Sequence, residues 1–258
     1  MRNEKTAEKM LEQLRNKLNS MSYWLPKFEN KGLNIPETVI IPLSQQWFEW
    51  LMSDDYEQEK INEFTEWINE RLEEREFDTN RELFIKTGTF SNKFVFQFPH
   101  VTDTKKIGQQ YLDVFYGGMC VGCEPCPEIC VREFIHTSYE RESIYHGMKL
   151  NTEFRMFYDF DKKKILDVFN YWDRETMQKS LSKDDLEGFL KSIADIECDY
   201  IYLKPILTDL VEESIQSVDL NGIWSIDFMW DGERFWFIDA AIGRQSYYFD
   251  KLKLQDKK

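Results

Sequence analysis

Positive charge is scarce in this chain of 258 residues. It has 33 Lys and Arg against 47 Asp and Glu, which gives a net charge of −14 at pH 7. Because binding to a nucleic-acid backbone needs clustered Lys and Arg, we expect no nucleic-acid partner. The same charge argues against an anionic membrane surface. It is compatible with a basic substrate or a basic protein partner, although an acidic surface more often serves solubility alone.

Long apolar runs are also missing. No stretch reaches the roughly 18 apolar residues that a transmembrane helix needs, and the first nine residues contain no apolar core of a signal peptide. We therefore predict no membrane association and a cytoplasmic location. The five cysteines are expected there as thiols or metal ligands and not as disulfides.

Several common catalytic motifs are absent. The three histidines, His100, His136 and His146, have no spacing that suggests a histidine metal site. The chain has no Gly-x-Ser-x-Gly sequence of a serine-hydrolase nucleophile elbow. It also has no Gly-Lys-Ser/Thr of a Walker A loop. The candidates that remain depend on carboxylates, Lys, Arg and Cys.

The hydrophobic pattern that is present changes along the chain. Apolar residues recur at helical spacing as far as about residue 75, so residues 1–78 are predicted to be a helical N-terminal region. Period-two strands are predicted afterwards at 83–86, 94–98, 129–135, 153–160 and 164–172. Two helices are expected next, one capped by Ser182 and one following Pro205. This order indicates an α+β fold, with a main domain at 79–250 and a charged tail at 251–258.

The segment from Gly222 to Gly243 is predicted to be a β-hairpin that turns at Asp231-Gly232. Each strand carries one acid in an apolar run, Asp227 and Asp239. Since a buried carboxylate is costly without compensation, the two acids suggest a shared cation, and Mg²⁺ prefers such oxygen ligands. An odd-numbered loop or a bulge would place both acids on one face, and we predict that arrangement. The alternative is one structural acid and one exposed acid.

A loop of small residues follows the strand that ends at Lys86. The loop Thr87-Gly-Thr-Phe-Ser-Asn-Lys93 has the composition to fold its amides around phosphates, with positive charge from Lys86 and Lys93. The alternative is an ordinary hairpin turn flanked by surface lysines.

Two further strands carry polar candidates. In the strand Val131–Ile135, the main chain is able to contact an adenine edge, and Glu133 is able to accept from an amino group or a hydroxyl. In the other, period two puts Glu153 and Arg155 on one face, and the planar guanidinium of Arg155 suits a phosphate. The alternatives are an ordinary strand in the first case and a cross-strand ion pair of small energy in the second.

The order of these segments resembles the ATP-grasp superfamily, and most of all its branch containing the cell-division-cycle protein 123 family. The resemblance covers about 165 of the 258 residues. Each motif is loose, and the specificity lies in their order and spacing. The segments that carry it are Phe84-Ile-Lys-Thr-Gly, Val131-Arg-Glu-Phe-Ile, Thr152-Glu-Phe-Arg-Met-Phe, Ser225-Ile-Asp-Phe and Phe237-Ile-Asp.

The resemblance implies an ATP-grasp fold, in which two α+β subdomains with antiparallel sheets clasp ATP. It implies that Lys86 and Arg155 contact phosphates in a catalytic role and that Asp227 and Asp239 hold Mg²⁺. It implies that Glu133, Phe134 and Ile135 form the hinge strand beside adenine. Lys93 and Glu153 complete the predicted nucleotide contacts.

One position departs from the pattern of the superfamily. An Asn that supplies a further metal ligand usually stands two residues after the second metal acid, and here that residue is Ala241. One interpretation is that water or Gln245 replaces that Asn as a metal ligand. The other is that the second metal ion is weakly bound. Arg244, just beyond this strand, is a candidate for the acceptor carboxylate, with a plain surface role as the alternative.

Four cysteines lie within eleven residues, at Cys120, Cys123, Cys126 and Cys130. This spacing resembles that of bacterial ferredoxins, although the Pro that follows the fourth Cys there is replaced by Val131. Zinc or an iron–sulfur cluster is one hypothesis, and reduced structural thiols are the other. Cys198 is expected in the core.

Three functions are consistent with these features. The leading prediction is an ATP-dependent ligase that joins a small-molecule or peptide carboxylate to an amine or thiol through an acyl phosphate. The alternative is an ATP-dependent assembly factor that binds a basic protein partner without ligase turnover, which the resemblance to the cell-division-cycle protein 123 family implies. A redox or regulatory protein built on the cysteines ranks third.

Overall fold

A computed structural model describes the backbone of residues 9, 12–14, 16–53 and 55–255, and the side chains of these residues as far as Leu252. By their contacts the residues form two compact units. The first comprises residues 1–23 and 37–134, and the second comprises residues 24–36 and 135–258. The helix α1 (Met21–Phe28) contains the point between residues 23 and 24 at which the chain leaves the first unit and enters the second.

The first unit is built on a four-stranded antiparallel sheet. Its strands are β1 (Thr38–Pro42), β2 (Leu83–Thr87), β3 (His100–Val101) and β4 (Glu128–Glu133). They lie in the order β1-β4-β2-β3. The central strand β4 carries an unbroken buried run, as expected for a strand that is covered on both faces.

The described part of the first unit also contains the helices α2 (Gln45–Leu51), α3 (Gln58–Glu73) and α4 (Ile107–Cys120). The helix α3 buries Ile61, Phe64, Ile68 and Leu72, whose spacing of three and four residues predicted this face. These side chains join the apolar residues of β2 and α4 in one core.

The second unit contains a four-stranded antiparallel sheet in the order β10-β9-β7-β8. Its strands are β7 (Thr152–Asp159), β8 (Lys164–Asn170), β9 (Ile223–Trp230) and β10 (Phe235–Ile242). A two-stranded ribbon of β5 (Ser143–Ile144) and β6 (Met148–Lys149) precedes them. The helices are α5 (Arg174–Ser180), α6 (Lys183–Ser214) and α7 (Phe249–Gln255).

The predicted α+β class and antiparallel sheets are confirmed, but four local expectations differ from the structure. Residues 1–78 are not wholly helical, because β1 lies among them and pairs with β4 from Thr38↔Arg132 to Pro42↔Glu128. Its signal was the alternation of Thr38-Val-Ile-Ile between two prolines. The helix α4 was not predicted.

The prediction of a strand at residues 94–98 is wrong. Asn92 adopts a left-handed backbone (φ 48°), and Lys93–Val95 then form a short 3₁₀ turn that leaves Phe94 half exposed. An apolar run of Phe and Val has strand propensity, yet the chain reversal at Asn92 prevents extended pairing.

The two helices predicted around Pro205 form one helix, α6. Its N-cap Ser182 accepts from the amide of Asp185 as predicted, and the helix continues through Pro205 to Ser214. Pro205 and Ile201, whose carbonyl loses its partner at residue 205, both lie on the exposed side, where water can satisfy that carbonyl. No helix among the described residues is both long and apolar enough to cross a membrane.

The predicted charged tail begins inside a helix. Phe249–Gln255 form α7, and Leu252 is buried against Phe157 and Tyr248. Residues 256–258 of that prediction lie outside the described residues. The division of the chain at residues 78 and 250 stays a prediction.

Candidate functional site

The sheet of the second unit has an apolar face and a charged face. Cross-strand neighbours point the same way, so the ladder Phe154↔Phe228↔Phe237 marks the apolar face. The next rung along β7 and β9 is Arg155↔Asp227, and Asp227 is in turn the direct partner of Asp239. Three charged side chains from three adjacent strands therefore meet on the opposite face.

A β-bulge is responsible for this meeting. The pairing runs from Trp230↔Phe235 to Phe237↔Phe228 in regular register, then shifts between Phe237 and Asp239. If β10 had no bulge, regular pairing would place Ile238 opposite Asp227 and turn Asp239 to the other face. The sequence predicted an odd-numbered loop or a bulge that places both acids on one face, and the structure has the bulge.

Arg155 forms a two-pronged ion pair with Asp227. Its Nε donates to Oδ1 at 2.9 Å and its Nη2 donates to Oδ2 at 2.6 Å. The Arg155 and Asp227 side chains are only 14% and 9% exposed. Such planar pairing in a largely dry setting is stronger than a surface ion pair.

The surroundings of Arg155 keep it charged. Burial by itself would lower the pKa of Arg155, but the charge of Asp227, its hydrogen bonds and the nearby Asp239 raise that pKa well above its ordinary value. Tyr171 adds to this, because its ring lies 4.8 Å from the guanidinium carbon. Tyr171 was not among the predicted site residues, although it continues the period of β8 beyond Phe169 on the same face.

Aromatic residues border the charged rung. Tyr248 stacks on Phe169 with ring centroids 5.2 Å apart, and its hydroxyl donates to the carbonyl of Tyr171 at 3.2 Å. Tyr248 also has a left-handed backbone (φ 76°). Burial raises the pKa of Tyr248 far above its ordinary value, so the hydroxyl stays a donor at neutral pH. Glu153 lies two residues before Arg155 on β7, on the same face as predicted.

The next rung on the same face as the two acids is formed by Ser225 and Ala241. The Ser225 hydroxyl lies 2.5 Å from the hydroxyl of Ser246, in the segment that follows β10. Ala241, where the superfamily usually has Asn, therefore faces a pair of hydroxyl groups. Gln245, the substitute considered from the sequence, is exposed.

The donor set fits a magnesium ion. Mg²⁺ is usually held by one or two carboxylates, with waters and substrate phosphates completing its octahedron. Asp227 and Asp239 provide two hard oxygen donors side by side, and Arg155 places one positive charge beside them. Each carboxylate oxygen of Asp227 accepts one hydrogen bond from the Arg155 guanidinium and retains a second lone pair.

Lys86 and the loop after it belong to the first unit. Lys86 is buried on β2, opposite Cys130 of β4. The amides of Thr89 and Phe90 donate to the hydroxyl of Thr87 at 3.3 and 2.9 Å, so the loop closes on itself. Lys93 begins the 3₁₀ turn. The phosphate contacts of Lys86 and Lys93 stay predictions.

Gly88 in this loop has a packing role. A Cβ atom there would lie 1.7 Å from Oε1 of Glu128 and 2.8 Å from the sulfur of Cys126. Glu128 is fully buried and accepts from the hydroxyl groups of Ser20, at 2.7 Å, and Ser22. Burial raises the pKa of Glu128 despite these hydrogen bonds.

The end of β4 holds the predicted adenine-binding segment. The carboxylate of Glu133 accepts from Arg81 at 3.0 Å and from the amide of Glu37 at 2.9 Å. Phe134 stacks on His100, with ring centroids 4.4 Å apart. The nucleotide contacts of Glu133, Phe134 and Ile135 stay predictions, and the ion pair of Glu133 was not foreseen.

The four clustered cysteines do not converge. Cys120 ends α4 and is exposed, Cys123 lies in the following loop, and Cys126 and Cys130 are buried. Burial raises the pKa of Cys126 to about 12 and raises that of Cys130 well above its ordinary value, which favours thiols over the thiolates that metals bind. The described chain contains no group of three or more His, Cys, Asp or Glu that could hold a metal. Zinc or an iron–sulfur cluster at Cys120, Cys123, Cys126 and Cys130 is thus unsupported. Cys198, expected in the core, is exposed.

Comparison with known proteins identifies the fold. No protein-family description and no curated protein matches the sequence. Among solved structures, C-terminally truncated Cdc123 from Schizosaccharomyces pombe is similar with a TM-score of 0.56 and 13% identity, covering 94% of this chain and 92% of that one. Cdc123 from the same organism has a TM-score of 0.52 and 15% identity, covering 91% and 89%.

A weaker similarity involves D-alanine–D-alanine ligase from Bacillus anthracis complexed with ATP. Its TM-score is 0.40 at 9% identity, covering 86% of this chain and 52% of that one. That similarity is too low to support an argument about function. The two Cdc123 structures confirm the expected ATP-grasp fold of the Cdc123 type, and the similarity extends over nearly the whole of both chains.

Proposed function

We propose that this chain is a Mg²⁺-dependent ATP-binding protein of ATP-grasp type. The observation that carries the proposal is the rung Arg155–Asp227–Asp239 on one face of the sheet. Two carboxylates side by side, one buried and one half-buried, have an electrostatic cost that cations reduce. Arg155 supplies one such cation, and a magnesium ion brought with the nucleotide would supply another.

Each residue of the rung has a defined part. Asp227 and Asp239 would hold the metal through their carboxylate oxygens. Arg155 fixes the orientation of Asp227 and keeps one positive charge beside the incoming phosphates, and Tyr171 supports its guanidinium. Bound Mg²⁺ would neutralise phosphate charge during phosphoryl transfer, which depends mainly on positioning and charge neutralisation.

The reaction that we propose is ligation. A carboxylate oxygen of the acceptor attacks the γ-phosphorus of ATP, the bond to the bridging oxygen breaks, and ADP leaves. The amine or thiol then attacks the carbonyl carbon of the acyl phosphate, and inorganic phosphate leaves with the bonding pair. Lys86 and Arg155 are the residues proposed to stabilise the phosphates. Lys93, Glu133, Phe134, Ile135 and Glu153 remain predicted nucleotide contacts.

The alternative is an assembly factor that binds Mg·ATP and a basic protein without ligation. Ala241 favours it, because the chain lacks the further metal ligand that full catalysis in the superfamily uses. The two functions differ in turnover. ADP release that depends on added amino acids or peptides supports ligation, whereas ATP binding without turnover across the same pools supports the assembly factor.

The metal assignment is tested by titration calorimetry with a non-hydrolysable ATP analogue, with and without Mg²⁺. We expect the wild type to bind more tightly with Mg²⁺ and Asp239→Asn to lose that enhancement while keeping its metal-free affinity. Glu233→Gln removes an exposed acid from the turn of the same hairpin and should behave as wild type. Equal Mg²⁺ enhancement in Asp239→Asn would show that the assignment is wrong.

A second prediction concerns Arg155. Arg155→Met leaves Asp227 largely buried without its partner, which costs about 3–5 kcal/mol of unfolding free energy. Because the two acids then lie side by side without the Arg155 guanidinium, millimolar Mg²⁺ should raise the melting temperature of this variant more than that of the wild type. Arg174→Met, which breaks an exposed pair with Glu197, should show no extra response to Mg²⁺. An equal response in all three proteins would contradict the shared-cation assignment.

A further inference from the structure

The long helix α6 has two contrasting faces. One face is buried against the second unit through Phe189, Ile193, Ile196, Leu207 and Val211. This spacing is that of an amphipathic helix. The opposite face is exposed, and an ordinary surface helix would carry charged and polar residues there.

The exposed face of α6 instead carries large apolar side chains. Ile201 is 70% exposed, Tyr202 is 81% exposed and Ile206 is 54% exposed. Cys198 and Pro205 are exposed beside them, at the spacing of adjacent helical turns. Single exposed apolar residues are unremarkable on a protein surface, but a contiguous set usually marks an interaction site. We call the set Cys198, Ile201, Tyr202, Pro205 and Ile206 the apolar stripe.

Acidic residues stand at both ends of the apolar stripe. Asp195 lies one turn before it, and Asp209 and Glu213 follow it, all exposed on the same side of α6. Within the described part of the chain none of these three forms a salt bridge. The separation of Asp195 and Asp209 corresponds to about 21 Å along the helix axis. The surface is therefore an apolar strip about three turns long between two negative ends.

The acids at the two ends of the apolar stripe determine which kind of partner can bind there. In an antiparallel pairing of two copies centred on Tyr202, Asp195 of one copy would face Asp209 of the other, and like charges would repel at both ends. A chain with basic residues about four turns apart would instead meet an acid at each end. Opposite potentials of this kind steer association and fix register.

We propose that the apolar stripe and its flanking acids bind an amphipathic helix of another protein that has Lys or Arg at both ends. Ile201, Tyr202 and Ile206 pack against the apolar side of that helix, and Asp195 and Asp209 pair with its basic ends. Helix-in-groove and helix-on-helix recognition commonly uses anchors at such spacing. The inference is independent of nucleotide binding.

The test uses three fluorescent peptides of about four turns with one common apolar face. They differ only in carrying Lys, Gln or Glu at both ends, and binding is followed by anisotropy at low salt. We expect the Lys peptide to bind most tightly, then the Gln peptide, then the Glu peptide. The variant Ile201→Ser/Ile206→Ser should weaken binding of the Lys peptide at least tenfold. The matched control Val121→Ser changes an exposed apolar residue of the first unit and should have no effect.

A charge-reversed variant tests the flanking acids. Asp195→Lys/Asp209→Lys should weaken the Lys peptide about tenfold and strengthen the Glu peptide, with both effects shrinking as salt rises. Glu66→Lys/Glu73→Lys makes the same charge change on α3 and should alter neither peptide. Circular dichroism verifies that each variant is folded.

Three results would overturn the proposal. The first is that the folded wild type does not bind the Lys peptide. The second is that the Lys, Gln and Glu peptides bind with equal affinity. The third is that Ile201→Ser/Ile206→Ser binds the Lys peptide as tightly as the wild type. Sedimentation equilibrium provides a further check. A dimer of the wild type that the variant Ile201→Ser/Ile206→Ser abolishes would identify a second copy as the occupant and would also refute the proposal.

Discussion

At the scale of single residues, three aspartates of one hairpin illustrate how surroundings decide a carboxylate's role. Asp227 is paired with a buried guanidinium, Asp239 lies beside it, and Asp231 organises the turn between the strands. Asp231 accepts from the amides of Glu233 and Arg234 at 2.7 and 2.8 Å. It also accepts from the indole of Trp236 at 2.7 Å. The first two acids lie on the charged face of the sheet, whereas Asp231 is satisfied by its own turn.

The variant Asp231→Ala should lower the free energy of unfolding by about 2–4 kcal/mol, because three donors lose a charged acceptor. Asp231→Asn should lose less, since its amide oxygen still serves the two backbone donors. Glu233→Ala, in the same turn but exposed, is the control and should change little. Urea unfolding at pH 7 measures all three, and a Glu233→Ala effect as large as that of Asp231→Ala would contradict this account.

The contribution of Asp231 also depends on pH. Burial would raise its pKa, but the hydrogen bonds from Trp236, Arg234 and Glu233 outweigh burial and lower it below the ordinary value. A carboxyl whose folded-state pKa is depressed stabilises the fold above its unfolded pKa and loses that contribution as pH falls through the folded pKa. The difference in free energy of unfolding between the wild type and Asp231→Ala should therefore decrease below about pH 4. A difference that stays constant down to pH 2 would be inconsistent with this mechanism.

At the scale of elements, α6 shows where local rules and tertiary packing compete. Pro205 removes one backbone donor from the helix interior, and the sequence alone predicts a break there. Residues on both sides of Pro205 nevertheless have a common buried face, Ile193 and Ile196 before it and Leu207 and Val211 after it. Packing of that continuous face outweighs the local cost of the proline.

Replacing Pro205 should therefore stabilise the protein. Pro205→Ala restores an amide that can donate to the carbonyl of Ile201, and it removes the steric clash of the ring, for an expected gain of about 1–3 kcal/mol. Thermal unfolding followed by circular dichroism measures the change. Ala194→Pro in the exposed face of the same helix should lower stability, and an unchanged or lower melting temperature for Pro205→Ala would refute the interpretation.

Much of the site was predictable from the sequence, because it depends on period-two strands and on one hairpin. Arg155, Asp227 and Asp239 follow from alternation together with the cost of burying acids. The ion pair of Glu133 with Arg81 and the contact of Tyr171 with Arg155 depend on partners that are 52 and 16 residues away, which no local pattern specifies. The strand β1 was missed because its neighbours along the chain are helical and its pairing partner β4 is about 90 residues distant.

At the scale of the whole molecule, the acidic excess has an energetic consequence. A net charge of −14 means that the folded chain repels itself more than an electrically balanced one. Most of the salt bridges involve at least partly exposed groups and contribute little each, so screening them has a small cost. When salt is added, the stability gained from weaker overall repulsion should therefore exceed the stability lost from weaker salt bridges.

The melting temperature should rise between about 0.01 M and about 0.1 M NaCl, where the Debye length falls from about 30 Å to about 10 Å. Differential scanning calorimetry at constant pH measures the shift. Sucrose at matched osmolality, which leaves charges unscreened, serves as the control for general solvent effects. A fall in the melting temperature over this range of salt would show that local ion pairs outweigh the net repulsion.

The bulge at Ile238 has a consequence for how this gene can change over time. Eleven residues separate Asp227 from Asp239, and with the turn at residues 231–234 one unpaired residue in β10 brings the two acids to the same side. If that turn is kept, loss of one codon between Phe235 and Asp239 would remove the bulge and leave the acids together, whereas gain of one codon there would turn Asp239 and every later side chain of β10 to the other face. Lineages that keep this rung should therefore tolerate loss of a residue at this point of the hairpin and not its gain.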